Sequence, residues 1–273
     1  MNAMRMRASS DLLRQTVVSV SAILAIVGSF IGSGAAGGTP IQNASGGALA
    51  ADATPIAPDG PAFGIWTPIY LGLIAYAIWQ FLPAQKTDAR QRTLGYPIAG
   101  SLLLNAAWIL SIQFDLLVVS VPVIVLLLMV LIRAFRLTLL SRPKNLVETI
   151  VADGTVGLYL GWVSVATAAN VTAVLVASGF AGFGLSADLW AVLVIAVAGL
   201  VGVLLAVYGQ GRLAPAVSLS WGLAWVAVAR LTGNLLSTPA AIAAIVAVAA
   251  ILIVTITVRA RTATSDTSRV VTA

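Results

Sequence analysis

The chain has 273 residues, of which 60% are hydrophobic and 9% are charged, and its formal net charge is +6. Soluble domains carry about 25% charged residues, so this composition excludes a soluble globular protein and indicates a chain that crosses a membrane several times. The basic residues are scattered between apolar segments. We therefore interpret them as markers of membrane topology rather than as a surface for nucleic acid.

Cysteine and histidine are both absent from the sequence. Their absence excludes disulfides, zinc–thiolate sites, histidine general bases and the common haem ligands. Catalysis would have to use Asp, Glu, Tyr, Ser or Lys, and the sequence shows neither paired carboxylates at catalytic spacing nor a nucleophile beside a base. We therefore expect no catalytic residues, no metal site, no resident cofactor and a protein that is not an enzyme.

Eight apolar stretches are long enough to cross a bilayer, which takes about 20 residues. They predict an all-α fold, a polytopic membrane bundle of about eight helices. The stretches lie near 16–36, 61–82, 95–112, 115–135, 148–177, 188–208, 214–231 and 238–258.

With eight spans, 14 of the 15 basic residues fall on one side of the membrane and only Arg230 falls on the other. The positive-inside rule makes that side cytoplasmic, which predicts a cytoplasmic N-terminus at 1–15 and a cytoplasmic tail at 259–273. A cleaved signal peptide is the alternative for the first span, but the cleavage-like "GALA" at 47–50 lies far beyond the apolar run. The prevalence of Arg over Lys, with many Ala and Val, suggests a bacterial inner membrane.

Residues 37–60 form the one long external connection between these spans. The loop is rich in Gly, Ala and Pro, and Asp52 and Asp59 are its only charged residues. Long loops are usually either functional or disordered. A lid over a binding site and a floppy linker therefore both remain open.

The second span, "GPAFGIWTPIYLGLIAYAIWQFLP" at 60–83, is unusually aromatic for a membrane helix. Trp66 and Trp79 lie near its ends, where an interfacial aromatic belt is the ordinary interpretation. Tyr70 and Tyr76 lie deeper, and a phenol at that depth needs a hydrogen-bond partner in the protein or in a ligand. Pro68 removes a backbone donor and predicts a kink beside them.

Two further spans place polar and aromatic side chains on one helix face. In span three, Asn105 precedes Trp108 by three residues; in span five, Tyr159, Trp162 and Ala166 follow spacings of three and four. These side chains either line a ligand cavity or join helices, through amide hydrogen bonds and close packing at small residues.

Three motifs in chain order resemble those of the TspO/MBR family, the tryptophan-rich sensory proteins related to the peripheral benzodiazepine receptor. They are "PAFGIWTPIY" at 61–70, "NAAW" at 105–108 and "YLGWVSVATAAN" at 159–170. Residues 14 to about 178 are covered by the resemblance. It implies a TspO-like five-helix bundle at 16–178 that binds porphyrins or other hydrophobic ligands beneath the first external loop. The candidate ligand-binding residues that follow are Trp66, Tyr70, Asn105, Trp108, Tyr159, Trp162, Ala166 and Asn170.

The sequence departs from the family pattern in two respects. The loop 37–60 contains no aromatic residue, and the three helices at 188–258 have no counterpart in a five-helix protein. We therefore expect an extended branch of the family. Within it, "WVSVA" at 162–166 recurs as "WVAVA" at 225–229, which indicates either a partial duplication or chance in an Ala- and Val-rich chain.

Two charged residues are candidates for a ligand contact or an ion pair. Arg230 either reaches the membrane interface or pairs with a ligand carboxylate, Asp115 or Asp188. Asp153, at the start of span five, is either a helix-terminus acid or a proton site.

The sequence favours a membrane sensor or transport protein whose partners are the lipid bilayer and a hydrophobic porphyrin-like molecule. A homodimer is permitted by the small-residue helix faces, and no nucleic acid is expected. A proton-coupled transporter of a small hydrophobic solute and, less favoured, an enzyme acting on a porphyrin or lipid remain as alternatives.

Overall fold

The computed structural model describes the backbone of residues 2–271 and the side chains of residues 10–264. Within that part of the chain the structure is helical and contains no β-strand. Eight of its helices are long and apolar enough to cross a membrane, which confirms the predicted all-α polytopic bundle. Residues 1 and 272–273, at the ends of the predicted N-terminus 1–15 and tail 259–273, lie outside the described residues.

We number the spanning helices α1 to α8. Two single turns, Pro83–Lys86 and the 3₁₀ segment Gly60–Ile65, precede α3 and α2. The bounds are α1 Asn2–Gly32, α2 Trp66–Trp79, α3 Ala89–Gln113, α4 Leu117–Leu140, α5 Leu146–Ala177, α6 Ala187–Tyr208, α7 Leu213–Thr232 and α8 Thr238–Val271.

The start of α1 and the end of α8 lie well beyond the apolar stretches that predicted these helices. α1 begins at Asn2 and α8 ends at Val271, each more than ten residues outside its predicted span. Polar residues such as Arg, Gln and Ser continue a helix once it has started, and hydropathy therefore locates a span without fixing the helix ends. α3 and α4 are joined by a tight turn, with Asp115 in the left-handed region at φ 59°.

A π-helical segment, Thr149–Gly154, lies inside α5. Asn145 precedes it as an N-cap, accepting a 2.9 Å hydrogen bond from the Glu148 N–H. Residues five apart on a regular α-helix differ by about 140° around its axis, whereas the wider π turn brings them closer to one side. Glu148 and Asp153 are such a pair, and their shared side matters for the charge contacts described below.

The chain divides into two compact units, and α5 passes from one to the other. Unit 1 comprises the chain up to Gly46 together with Trp66–Val156, and unit 2 comprises Gly47–Ile65 together with the chain from Gly157 onwards. This division differs from the predicted one, which placed a five-helix bundle at 16–178 and a three-helix addition at 188–258. The second half of α5 and the second half of the loop 37–60 belong with α6–α8.

Small residues explain the helix packing inside unit 1. α1 packs against α3, where a Cβ added to Gly28 would lie 2.9 Å from the Cβ of Ala106 and one added to Gly32 would lie 2.7 Å from Ile109. Close backbone approach of this kind is the usual way in which membrane helices associate.

The same principle joins the second half of α5 to α7 in unit 2. Gly161 lies against the backbone carbonyl of Pro215, and Gly222 faces Val165, whose side-chain carbons would lie 3.0–3.2 Å from an added Cβ. The Ser218 hydroxyl also donates to the carbonyl of Leu158. This contact surface explains why α5 changes unit at residue 157.

Candidate functional site

In unit 1, the Tyr70 hydroxyl lies at the centre of a small polar group. It forms a short hydrogen bond with the Ser29 hydroxyl and accepts a 2.6 Å hydrogen bond from the Asn105 side-chain amide. The Trp66 ring lies beside it, with ring centroids 5.7 Å apart. The phenol therefore has partners inside the protein, as its depth in the span requires.

Asn105 is 3% exposed, and its amide oxygen Oδ1 has no hydrogen-bond partner among the described residues. Buried polar atoms are normally satisfied, so this oxygen is an acceptor available to a donor that is not part of the chain. Trp108, the other half of the span-three motif, is also buried, and its backbone carbonyl accepts from the Ser111 hydroxyl at 2.7 Å.

The structure corrects the expectation that Trp79 lies in an interfacial belt. Its side chain is 8% exposed and its ring lies 6.2 Å from that of Tyr76, which is fully buried. The C-terminal end of α2 thus turns its aromatic residues into the protein.

In unit 2, the segment Gly47–Ile65 is held by aromatic residues of α5 and α7. Phe63 meets Trp162 edge to face, with ring centroids 5.8 Å apart. The Trp221 indole donates to the carbonyl of Ala62 at 2.9 Å, and the carbonyl of Trp225 accepts from the Asp59 N–H at 3.2 Å. These contacts favour a folded loop over the floppy linker that the composition left open.

We call Phe63, Trp162, Trp221 and Trp225 the aromatic group of unit 2. Trp221 and Trp225 lie edge to face, 5.6 Å apart, one helical turn from each other on α7. An indole that faced lipid would be exposed in this structure. Trp162 is 2% exposed, so it does not face lipid. Trp162 is therefore turned into the protein, whereas Phe63 and Trp225 are partly buried and Trp221 is 39% exposed.

The remaining candidates on α5 are divided between burial and partial exposure. Tyr159 and Asn170 are 1% exposed, and Ala166 is half-buried. Ser164 and Thr167 donate their hydroxyls to the carbonyls four residues earlier, at 2.8 and 2.7 Å, so these hydroxyls are used within the helix.

The predicted ligand-binding set is divided between the two units. The structure brings Tyr70 together with Trp66 and Asn105, and it places Trp162 against Phe63, a residue of the motif that was not in the predicted set. Trp66, Tyr70, Asn105 and Trp108 belong to unit 1, whereas Tyr159, Trp162, Ala166 and Asn170 belong to unit 2.

A buried charge network in unit 1 joins the first turns of α3 and α5. Arg90 donates through Nη1 to Glu148 at 2.9 Å and through Nη2 to Asp153. Its Nε donates to the Ser141 hydroxyl at 2.9 Å, and Nη2 also reaches the carbonyl of Thr138 at 3.4 Å. All three guanidinium nitrogens of Arg90 thus have acceptors, and both carboxylates lie against one cation.

Sequence reasoning missed this network because it treated Arg90 as one topology marker among several. The partners lie 58 and 63 residues away in the chain. The available signal was the position of Arg90 shortly before span three and of Glu148 and Asp153 near the start of span five, since a charge at the edge of the hydrocarbon needs a counter-charge.

Outside the spans, Asp88 caps α3 and pairs with Lys144. Asp88 accepts from the Arg90 and Gln91 N–H groups at 2.8 and 3.1 Å, and Lys144 donates to its second oxygen. Burial by itself raises the pKa of Asp88, but the hydrogen bonds from Lys144 and the backbone bring it below its usual value. The same contact raises the pKa of Lys144.

The side chain of Arg230 is 1% exposed and is therefore enclosed by the protein. Its Nη2 donates to the carbonyl of Ala51 in the loop segment. Asp188, one of its predicted partners, instead accepts a 2.6 Å hydrogen bond from the Ser237 hydroxyl. Within the described residues, no group of three or more Asp or Glu side chains is arranged to hold a metal ion.

Eight apolar helices, with amide, phenol and indole side chains buried between them, define an integral membrane helix bundle with polar and aromatic groups in its interior. A family model described as TSPO-like protein matches residues 18–258, and the chain belongs to that family. This confirms the resemblance seen in the motifs. The match also extends through α6–α8, well past residue 178, where the sequence comparison had placed its end.

Searches of curated proteins and of solved structures each found no match.

Proposed function

We propose that this protein is a membrane sensor or transport protein that binds a hydrophobic planar ligand, of the porphyrin or tetrapyrrole kind, at aromatic side chains beneath its first external loop. The observation that carries the proposal is the attachment of the loop segment Gly47–Ile65 to the aromatic group of unit 2. Consecutive loop residues reach two helices, since Ala62 accepts from Trp221 while Phe63 meets Trp162.

Aromatic rings suit such a ligand for a physical reason. Flat conjugated molecules gain both apolar contact area and ring–ring attraction against indole and phenyl groups. The chain lacks the histidine and cysteine that usually bind a haem iron. We therefore propose recognition through the ring system and the peripheral groups of the ligand.

The polar group around Tyr70 in unit 1 is a separate candidate site for a ligand of this kind. Asn105 presents a buried carbonyl oxygen without a partner in the described residues, and Trp66 lies beside Tyr70. A buried acceptor next to an aromatic face fixes the orientation of an apolar ligand that carries one N–H or O–H donor.

We propose that this loop lies on the outer side of a bacterial inner membrane and that both termini are cytoplasmic, because the basic residues mark the inner side. A ligand that partitions into the outer leaflet would then meet the loop segment first. This orientation belongs to the proposal, and labelling of single engineered cysteines from either side of intact cells checks it, because the chain has no cysteine of its own.

The proposal is tested with Phe63→Ala, which leaves every tryptophan in place. Quenching of intrinsic fluorescence by protoporphyrin IX should be saturable in the wild type. We expect the dissociation constant to rise about tenfold in Phe63→Ala, as for the loss of one buried aromatic contact. Phe183→Ala is the matched control, because Phe183 is 86% exposed. Linear, unsaturable quenching in the wild type would contradict the proposal.

The π-helical segment of α5 favours one alternative, a proton-coupled transporter. Such segments occur often at functional sites, and this one carries the buried Asp153. Uptake into proteoliposomes that depends on a proton gradient and is abolished in Asp153→Asn, in a variant whose thermal stability is retained, would favour this alternative over a sensor.

A further inference from the structure

Arg230 lies in the last turn of α7 with its side chain almost completely buried. It is the one basic residue that the eight-span topology places on the outer side. The C-terminal end of a helix attracts a cation, but the last carbonyls can accept only from the nitrogens that face them. The hydrogen-bond partners of this guanidinium therefore show whether contacts within the protein account for its burial.

One of its three nitrogens is accounted for. Nη2 donates to the carbonyl of Ala51, whereas Nε and Nη1 have no acceptor among the residues that the structure describes. A buried cation in a protein is normally paired and fully hydrogen-bonded, because removing it from water is costly.

Arg90 is a buried arginine in the same chain whose guanidinium nitrogens all have hydrogen-bond acceptors. It is about as buried, yet two carboxylates, a hydroxyl and a carbonyl occupy its three nitrogens. The guanidinium of Arg90 is thus fully hydrogen-bonded within the protein. The guanidinium of Arg230 is about equally buried but has no carboxylate partner among the described residues.

The two acidic residues near Arg230 do not supply acceptors for its remaining guanidinium nitrogens. Asp52 and Asp59 both attract Arg230 electrostatically, but neither forms a salt bridge with it. Asp59 uses Oδ1 to accept from the Gly60 N–H at 2.7 Å, and the Asp52 side chain is exposed. In the same loop segment, the hydroxyl of the buried Thr54 also lacks a partner within the described residues.

We propose that Arg230 binds the carboxylate of an amphipathic ligand, with the loop segment Gly47–Ile65 covering the ion pair. A carboxylate that accepts from Nη1 or Nε supplies the missing counter-charge. The loop segment that reaches Arg230 through Ala51 also contacts aromatic rings, since Ala62 accepts from Trp221 and Phe63 meets Trp162. This inference rests on the proposed function, since it names the chemical group by which the planar ligand is held.

The inference is tested with two probes that differ in charge only at the periphery. Protoporphyrin IX carries two carboxylates, and its dimethyl ester carries none. We expect the wild type to bind the diacid at least tenfold more tightly than the ester, as for one charge-assisted hydrogen bond. In Arg230→Gln the two dissociation constants should become equal within about twofold, chiefly through loss of diacid affinity.

Arg136→Gln is the matched control, because it removes the same charge from an exposed side chain on α4. It should retain the wild-type preference and thereby account for unequal partitioning of the two probes into detergent. Arg230→Lys, which keeps the charge but offers a single nitrogen, should retain part of the preference.

The outcomes separate this inference from the proposed function. If neither probe binds the wild type, the proposed function fails. If both probes bind but the wild type does not prefer the diacid, or Arg230→Gln keeps the preference, the function stands and the inference is wrong. A fall in thermal stability of Arg230→Gln with the preference unchanged would assign Arg230 a structural role and would also overturn it.

An anionic lipid headgroup offers the same chemistry as a ligand carboxylate, and nanodiscs distinguish the two sources. In phosphatidylcholine alone, the diacid preference should persist. If a headgroup is the natural occupant, adding phosphatidylglycerol would raise the melting temperature of the wild type but not of Arg230→Gln, and would abolish the diacid preference. That result would overturn the assignment to a ligand carboxylate.

Discussion

Removing Arg90 should destabilise the protein more than removing any exposed arginine, because it takes away the cation that two buried carboxylates share. The Glu148 side chain is fully buried and that of Asp153 is 6% exposed. Glu148 keeps two hydrogen bonds without Arg90, from the Gln91 amide and the Lys144 N–H. Asp153 loses its salt bridge to Arg90.

Breaking a buried ion pair by deleting one partner costs about 3–5 kcal/mol. For Arg90→Gln we expect a loss in this range, which for a chain of this size corresponds to a fall in melting temperature on the order of 10 °C. The measurement is thermal unfolding in detergent followed by tryptophan emission. Arg136→Gln, which removes an exposed arginine, should change the melting temperature little.

A triple variant isolates the reason for the loss. Adding Glu148→Gln and Asp153→Asn to Arg90→Gln removes both stranded charges and replaces them with side chains of nearly the same shape. The triple variant should therefore be more stable than Arg90→Gln alone. If the single variant matches Arg136→Gln, or if the triple variant is the less stable of the two, the network does not contribute as the structure implies.

Two further predictions concern the loop and the N-terminal end of α3. Trp221→Phe keeps the ring but removes the hydrogen bond to the Ala62 carbonyl, so thermolysin should cut the loop 37–60 faster than in the wild type at a temperature well below unfolding; equal rates would contradict the attachment. Asp88→Asn keeps the N-cap but removes the charge that faces Lys144. Because the pKa of Asp88 is lowered in the folded protein, its charge stabilises the fold above the unfolded value of 3.8, and this contribution is lost as the pH falls below that value. The melting temperature of the variant should fall less than that of the wild type between neutral pH and about pH 3, and parallel curves would refute the assignment.

The number and type of the helices could be predicted because they depend on local composition. Each span is a run of apolar residues long enough for a bilayer, and the alternation of basic loops fixes the count at eight. The helix ends could not be predicted from hydropathy. α1 begins at Asn2 and α8 continues past Val258, through residues too polar to be recognised as part of an apolar span. The π turn at Thr149–Gly154 likewise has no simple pattern in the sequence.

The motifs located the polar and aromatic side chains but not their partners. Tyr70 was expected to need a hydrogen bond, and the structure supplies Ser29, from a helix that the motifs do not include. The loop contacts were beyond prediction for a different reason. Ala51 and Ala62 accept through backbone carbonyls, and Asp59 donates through its backbone N–H. Because nearly every residue type has these backbone groups, the sequence does not indicate these hydrogen bonds.

The span-five motif "YLGWVSVATAAN" illustrates how one run of residues serves several purposes at once. Gly161 is there because the Pro215 carbonyl leaves no space for a Cβ, and the hydroxyls of Ser164 and Thr167 are consumed by their own helix. Trp162 is the member that meets the loop, through Phe63 of the span-two motif. The two motifs therefore act on each other in unit 2, and a substitution in one of them should alter ligand binding through the other. That dependence is the reason to measure Phe63→Ala and Trp162→Ala as a double-mutant cycle, in which additive losses would show that the two rings contribute independently.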